Sequence, residues 1–228
     1  MTIKITALVP MKEHSSRVPN KNIRDFCERP LFYMILDTLL KVKYIDTIVV
    51  NTDSKTINEL IKKDYPAIII IDRPYSLCGD YVSMNKIINY DISRIEGEYF
   101  LQTHSTNPLL KASTLQRAIK KYLTVLAENY DSLFSVTEHR VRCYDKDRNP
   151  INHNPRKLIR TQDLSPIYEE NSNFYIFSRN SFKKNNNRIG IRPYLYKMNK
   201  IEAIDIDNKE DFKLAELIFK FRILDKNI

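Results

Sequence analysis

At 228 residues, 43% of them hydrophobic and 29% charged, the chain has the make-up of a folded domain with one well-formed core, which excludes a mostly disordered polymer. The net charge of +9 calls for an anionic partner. However, acids are interspersed among the bases, and no zinc-ligand spacing or aromatic RNA-binding signature accompanies them, so a phosphate-bearing small molecule fits at least as well as nucleic acid.

Cys27, Cys78 and Cys143 lie far apart without a C-x-x-C pair, which argues against a disulfide framework or a structural zinc site. No apolar run reaches the roughly 20 residues that a membrane span needs, and "MTIKITALVPMK" lacks a leader pattern. The expectation is a cytoplasmic protein with neither a membrane nor a nucleic acid as partner.

In chain order, "KITALVP" reads as a short buried strand, and a basic loop, "MKEHSSRVPNKN", follows it. "PLFYMILDTLLK" is a helix with Phe32, Ile35, Leu36, Leu39 and Leu40 on one face and Pro30 in its first turn. "DTIVVNTD", a helix "SKTINELIKKD" and "AIIIID" complete a βαβαβ order, the last an all-apolar run expected to be covered on both faces. A helix over 83–94, the strand "EYFLQT", the helix "ASTLQRAIKKYLTVLAE" and the strand "SLFSVT" come next.

The alternation predicts an α/β fold, a doubly wound and mostly parallel sheet forming a single domain over 1–228. From 138 to 173 the pattern gives way to Pro, Asn and charge, read as an inserted arm that packs on itself or on a second subunit. "NFYIFS" and "IEAIDID" read as strands, and "NKEDFKLAELIFKF" as a closing helix capped by Asn208.

Ligands of a doubly wound sheet bind where loops leave the carboxyl ends of its strands. Lys12, Arg17 and Lys21 on the first loop would gather cations there, a seat for a polyphosphate. Neither a Walker P-loop nor a G-x-G-x-x-G fingerprint is present, so side chains must do what glycine-rich backbones do elsewhere. Asp205 and Asp207, two apart on an expected strand, would share one face about 6.6 Å apart, a spacing that suits one divalent ion or simply helix capping.

The loop "PMKEHSSRVPNKN" resembles the signature P-A-R-G-G-S-K-R-I-P-G-K-N of sugar cytidylyltransferases, the acylneuraminate (CMP-sialic acid synthetase) family. Pro10, Ser15, Arg17, Pro19, Lys21 and Asn22 match, Lys12 replaces the usual Arg, and Glu13, His14 and Asn20 replace glycines. "VVNTD", "DRPYSLCGDYVSMN", "FLQTHSTNPLLK", "NSNFYIF" (with Ser172 where glycine is usual) and "IDIDNKEDFKLAE" are similar to further family segments in the same order.

The resemblance implies a nucleotidyltransferase fold with a dimerisation arm, and an Mg²⁺-dependent transfer from CTP to an acidic sugar. By it, Lys12, Lys21 and Asp207 are catalytic, and Lys12, Arg17, Lys21, Asn22, Arg73 and Ser83 bind the nucleotide. Gln102, Asn171, Tyr175 and Arg156 bind the acceptor, Arg156 from an arm that reaches a homodimeric partner together with Lys157 and Arg160. Asp205 and Asp207 hold the metal. A Kdo-type sugar or a phosphonate as acceptor, a glycosyltransferase, and a non-catalytic basic nucleic-acid-binding domain are the alternatives.

Overall fold

The computed structural model describes residues 3–15 and 17–224. Its central strand, β1 (Ile5–Pro10), is buried along its whole length. A basic loop with one turn of 3₁₀ helix (Lys21–Ile23) leads to a two-residue hairpin, β2 (Asp25–Phe26) and β3 (Arg29–Pro30), and then to α1 (Leu31–Leu40), with Pro30 immediately before its first residue. Next come β4 (Ile45–Thr52), α2 (Lys55–Asp64) and β5 (Ile69–Asp72). Ser54 caps α2 by accepting from the Ile57 amide at 3.3 Å, which satisfies one of the orphan donors of a helix start.

After α3 (Met84–Arg94) the chain returns to the other side of β1 as β6 (Tyr99–Thr103), followed by α4 (Ala112–Val125). Then follow β7 (Ser132–His139), β8 (Ile167–Ser178), α5 (Arg179–Asn185), β9 (Pro193–Lys197) and α6 (Lys209–Leu224). The seven-stranded sheet runs β5-β4-β1-β6-β8-β7-β9. β1 pairs in parallel with β4 and with β6, and β4 with β5 and β7 with β9 are parallel too; only β8 runs against its neighbours. The strand order therefore reverses between β1 and β6, the place where such sheets open a crevice.

Alternation of side chains puts the core on both faces of the sheet. Ala7, Val9, Val50, Leu101 and Ile176 pack in the larger cluster with α1 and α4, whereas Leu8, Val49, Phe100 and Phe177 face the smaller cluster with α3 and α5. Among the described residues no helix is long and apolar enough to cross a membrane.

Three expectations are corrected. β5 is an edge strand, not one covered on both faces, and Ile69 at its start is 44% exposed. Residues 201–207 form a turn and an extended run with no ladder partner, so "IEAIDID" is not a strand. β9 and α5 were not foreseen: α5 has seven residues and buries only Ser181 and Phe182, too few for a visible helical stripe. As for the stretch 138–173, its ends belong to the sheet, in β7 and β8, and between them lie an isolated bridge, Tyr144 with Pro150, and one 3₁₀ turn.

Candidate active site

The loop after β1 is built in without glycine. The Met11 amide donates to Asn51 O at 2.9 Å, continuing the β1–β4 ladder, and the Glu13 amide donates to Asp53 Oδ1 at 2.8 Å. Val18 plugs the loop into the core at 0% exposure. Asn20 then takes a left-handed conformation (φ 54°) and caps the 3₁₀ turn through its carbonyl, which accepts from the Ile23 and Arg24 amides. Asn tolerates that region better than other residues with a side chain, which explains how it stands where the resembling motif has glycine.

Asn22 pins the loop from the inside. Its Nδ2 donates to Lys12 O at 2.7 Å and its Oδ1 accepts from the Ser105 hydroxyl at 2.6 Å, joining the ends of β1 and β6. Arg73 does the same from the end of β5, donating to Asn51 Oδ1 at 2.6 Å, to Asn51 O at 3.0 Å and to Met11 O at 3.2 Å. Asn51 in turn donates to the carboxyl of Asp91 on α3. Burial pulls the Arg73 guanidinium below its usual range and pushes Asp91 up to about 7.

Lys12, Arg17, Lys21, Asn22 and Arg73 line one cleft at the β1–β6 switch, with His104 and Thr106 across from them. Five of the six expected nucleotide contacts are therefore together. The sixth, Ser83, is exposed at the start of α3, and its neighbours Val82 and Met84 line the cleft instead.

Each cation has a protein partner. Lys12 pairs with Asp80, Arg17 Nη2 lies 2.7 Å from Asp207 Oδ1, and Lys21 donates to Ile206 O. The Lys12 and Arg17 pairs are solvent-exposed and worth little by themselves, so a polyanion can displace them with small loss. Burial draws the Lys21 ammonium below the usual lysine range, with the charges of Asp205 and Asp207 opposing that shift.

Asp205 and Asp207 line an adjoining cleft with Asn171, Ser172, Glu170 and Asp211. Although no strand carries them, the expected common face survives: Ile206 between them is fully buried, and its amide donates to Thr106 O at 2.9 Å. Asn208 caps α6 as expected. Its Oδ1 accepts from the Asp211 amide at 2.9 Å, while Asp211 Oδ2 accepts at 3.0 Å from the amides of both Asn208 and Asp207, a capping box that fixes the Asp207 backbone. Burial lifts the Asp205 carboxyl above its ordinary value, and the neighbouring Asp207 charge adds to the effect.

The acceptor candidates are spread more widely. Where β7 and β8 slip register between Phe134 and Val136, Ser135 holds a bulge: its hydroxyl donates to Asn171 Oδ1 at 2.6 Å and accepts from the Phe174 amide at 3.1 Å. That bulge aims Asn171 into the second cleft, and Ser172 follows at φ 56°, again left-handed where the resembling motif has glycine. Tyr175 is fully buried and donates to Glu170.

Gln102 is also fully buried rather than open to solvent; its Nε2 donates to Thr103 O at 2.9 Å and lies 3.2 Å from His104 Nε2. Burial, with the charges of Arg188 and Lys21, pushes His104 down to about 3, so the imidazole is neutral near pH 7 and accepts from the amide. Arg156 lines neither cleft of its own chain, and its backbone amide is tied to Asn154 Oδ1 at 2.9 Å.

Sequence reasoning passed over Asp80 and Arg188. Asp80 stood inside the quoted "DRPYSLCGDYVSMN" and was within reach; Arg188, in "NNNRIG", carried no periodicity or motif that would single it out.

Comparisons with known proteins identify the family and the fold. A family model described as cytidylyltransferase matches residues 6–227. The chain is 24% identical over 98% of its length to an N-acylneuraminate cytidylyltransferase of Streptococcus agalactiae, of which it spans only 56%, so it is about half the length of that relative. It is also 24% identical to a pseudaminic acid cytidylyltransferase of Campylobacter jejuni, with 96% of this chain and 97% of that one covered. Among solved structures it is similar to a CMP:2-keto-3-deoxy-manno-octonic acid synthetase complexed with CTP, with a TM-score of 0.68 at 12% identity, covering 96% of this chain and 99% of the other. The fold, the cleft at the strand switch and a match over nearly the whole chain lead to one conclusion: this chain belongs to the cytidylyltransferase family.

Proposed function

We propose that the chain transfers a cytidylyl group from CTP to a hydroxyl of an acidic sugar of the nonulosonate class. The hydroxyl oxygen bonds to the α-phosphorus and gives up its proton to solvent, the bond from that phosphorus to the bridging oxygen breaks, and pyrophosphate leaves. The observation that carries this reading is the convergence of Arg17 and Lys21 from the loop after β1 on Asp205 and Asp207 before α6, with Lys12 lining the same cleft beside Asp80.

Chemistry at phosphorus is mainly positioning and neutralisation of charge, and preorganised cations in a crevice supply both. Lys12 and Arg17 give up their exposed carboxylate partners to the triphosphate, and Lys21 stays anchored by burial beside the reacting phosphorus. Asn22 and Arg73 hold the loop that presents them, so they act on the nucleotide through the backbone as much as by contact.

Asp205 and Asp207 fit Mg²⁺. Among the described residues no three His, Cys, Asp or Glu side chains form a ready metal cage, yet Mg²⁺ needs only one or two carboxylates when phosphate oxygens and waters complete its shell. The upward shift of Asp205 caused by burial and by Asp207 marks a like-charge conflict that a divalent cation relieves. When bound, the ion would neutralise phosphate charge.

The reading places the chain in the cytoplasm, where CTP is available, as a homodimer feeding surface-polysaccharide biosynthesis. Exposed apolar residues on the stretch after β7, Leu158 at 86% and Ile151 at 60%, support a second copy docking there and receiving Arg156.

The test is pyrophosphate release from CTP and Mg²⁺ with sialic, legionaminic, pseudaminic and Kdo acids. Lys21→Ala and Asp207→Ala are each expected to lower turnover by about 10²–10³-fold. Silence across the panel, or full turnover in either variant, refutes the assignment.

A further inference from the structure

We propose that Arg188 recognises the acceptor: its guanidinium binds the carboxylate of the acidic sugar, from within the same chain. The proposal rests on the reading of the protein as an acidic-sugar cytidylyltransferase and names the group that would select its substrate.

Arg188 sits in the loop between α5 and β9, and that loop is tied down on both sides. The Arg188 amide donates to Asn85 Oδ1 on α3 at 3.3 Å; after it, the Gly190 amide donates to Ser132 Oγ at 2.8 Å, and the Ile191 and Arg192 amides donate to the Asp131 carboxylate at 2.7 and 3.1 Å. A side chain on such a support is held in place before any ligand arrives.

The guanidinium lies 3.6 Å from the centroid of the Tyr175 ring, and its Nη1 donates to Gln102 Oε1. Both contacts lead into the site. Gln102 passes through His104 to the cleft lined by Lys21 and Asn22, and the Tyr175 hydroxyl reaches Glu170 and Ser172, which line the cleft of Asp205 and Asp207. Arg188 lines neither cleft itself, but these contacts tie it to residues of both the cation cleft and the aspartate cleft, and it is only partly buried.

Its charge is only partly matched. Among the described residues Arg188 forms no direct ion pair with a carboxylate; Glu170, held by the Tyr175 hydroxyl, acts on it from further off, and burial still draws its guanidinium below the usual arginine range. A cation taken out of water without a counter-ion is unfavourable, and the deficit disappears when an anion arrives. Arg179 shows the contrast: its three guanidinium nitrogens donate to the carbonyls of Gly97, Ile92 and Ile95, a purely structural use. Arg188 instead has a ring and one amide as partners, which leaves a planar donor fork suited to a planar oxyanion.

The oxyanion could come from the acceptor or from a CTP phosphate, and these sources separate experimentally. Binding of N-acetylneuraminic acid and of its methyl ester to the full chain with CTP is followed by saturation-transfer NMR, and the KM values for acid and for CTP by pyrophosphate release. The wild type should favour the free acid over the ester by about 10–100-fold, the range of one charge-assisted contact. Arg188→Gln should bring that ratio close to one and leave the CTP KM unchanged, and Arg188→Lys should fall between; a merely structural role would weaken acid and ester alike.

If Arg188→Gln keeps the preference for the acid, or loses CTP affinity instead, the proposal is overturned. Preferential, Arg188-dependent binding of the acid without pyrophosphate release sustains the proposal while the proposed activity falls. Release with an unchanged acid-to-ester ratio in Arg188→Gln does the reverse, and an absence of both acid binding and release overturns both.

Discussion

Asp91→Asn should make the protein more stable as pH rises, and the size of the effect follows from one buried carboxyl. Asp91 is 1% exposed on α3, accepts from Asn51 and, through it, faces Arg73. Burial raises its pKa from an ordinary 3.8 to about 7, with the Asn51 hydrogen bond and the Arg73 charge only partly opposing. The ionised form is therefore the one the fold disfavours: the full stability is present below 3.8 and is lost as pH climbs through about 7.

At about 1.4 kcal/mol per tenfold change in proton affinity, the whole loss amounts to about 4 kcal/mol, of which about 2–3 kcal/mol is expressed between pH 5 and 8.5. That is a large part of the 5–15 kcal/mol typical of a domain. An asparagine keeps the accepting oxygen for Asn51 and cannot ionise. Urea unfolding of both proteins at pH 5 and 8.5 should show the variant gaining about 2–3 kcal/mol on the wild type over that interval. A stability difference that is the same at both pH values would refute the reasoning.

Ser172→Gly removes a side chain from a left-handed position, φ 56°, and should raise stability by about 1 kcal/mol in the same urea assay, the Tyr175 hydroxyl retaining Glu170 as its acceptor. Gly190→Ala should do the opposite: a Cβ there would lie 2.1 Å from Asp131 Oδ1, so the loop must shift, and a loss of about 1–3 kcal/mol by thermal or urea unfolding is expected. Because that loop carries Arg188, the alanine variant should also weaken acceptor binding before it weakens CTP binding, as seen in the two KM values.

The doubly wound half of the fold was legible because its helices have long apolar faces and its strands are short apolar runs. Where the pattern misled, packing explains why. "AIIIID" carries isoleucine on both faces, but position in the sheet decides coverage, and β5 fell at the edge with Ile69 in solvent. "IDID" alternates as a strand does because Ile206 points into the core while its neighbours face the clefts, an arrangement that a capping box and a single backbone bond to Thr106 maintain without a ladder. The loop cations could be named from their clustering and from the motif, because side-chain type alone makes them useful. Gln102 and Tyr175 could be named only as positions; their contact with Arg188 depends on a turn 86 and 13 residues further on, and local sequence does not encode such a meeting.

The bond from Lys21 to the carbonyl of Ile206 joins residues 185 positions apart. During synthesis the loop after β1 therefore waits, with its ammonium solvated, until Ile206 has emerged, and no nascent product that stops before it can assemble this contact. Such long-range closure slows folding. It also means that a nucleotide seated there staples β1 to the segment leading into α6, so its grip resists opening of the whole fold and not of one loop alone.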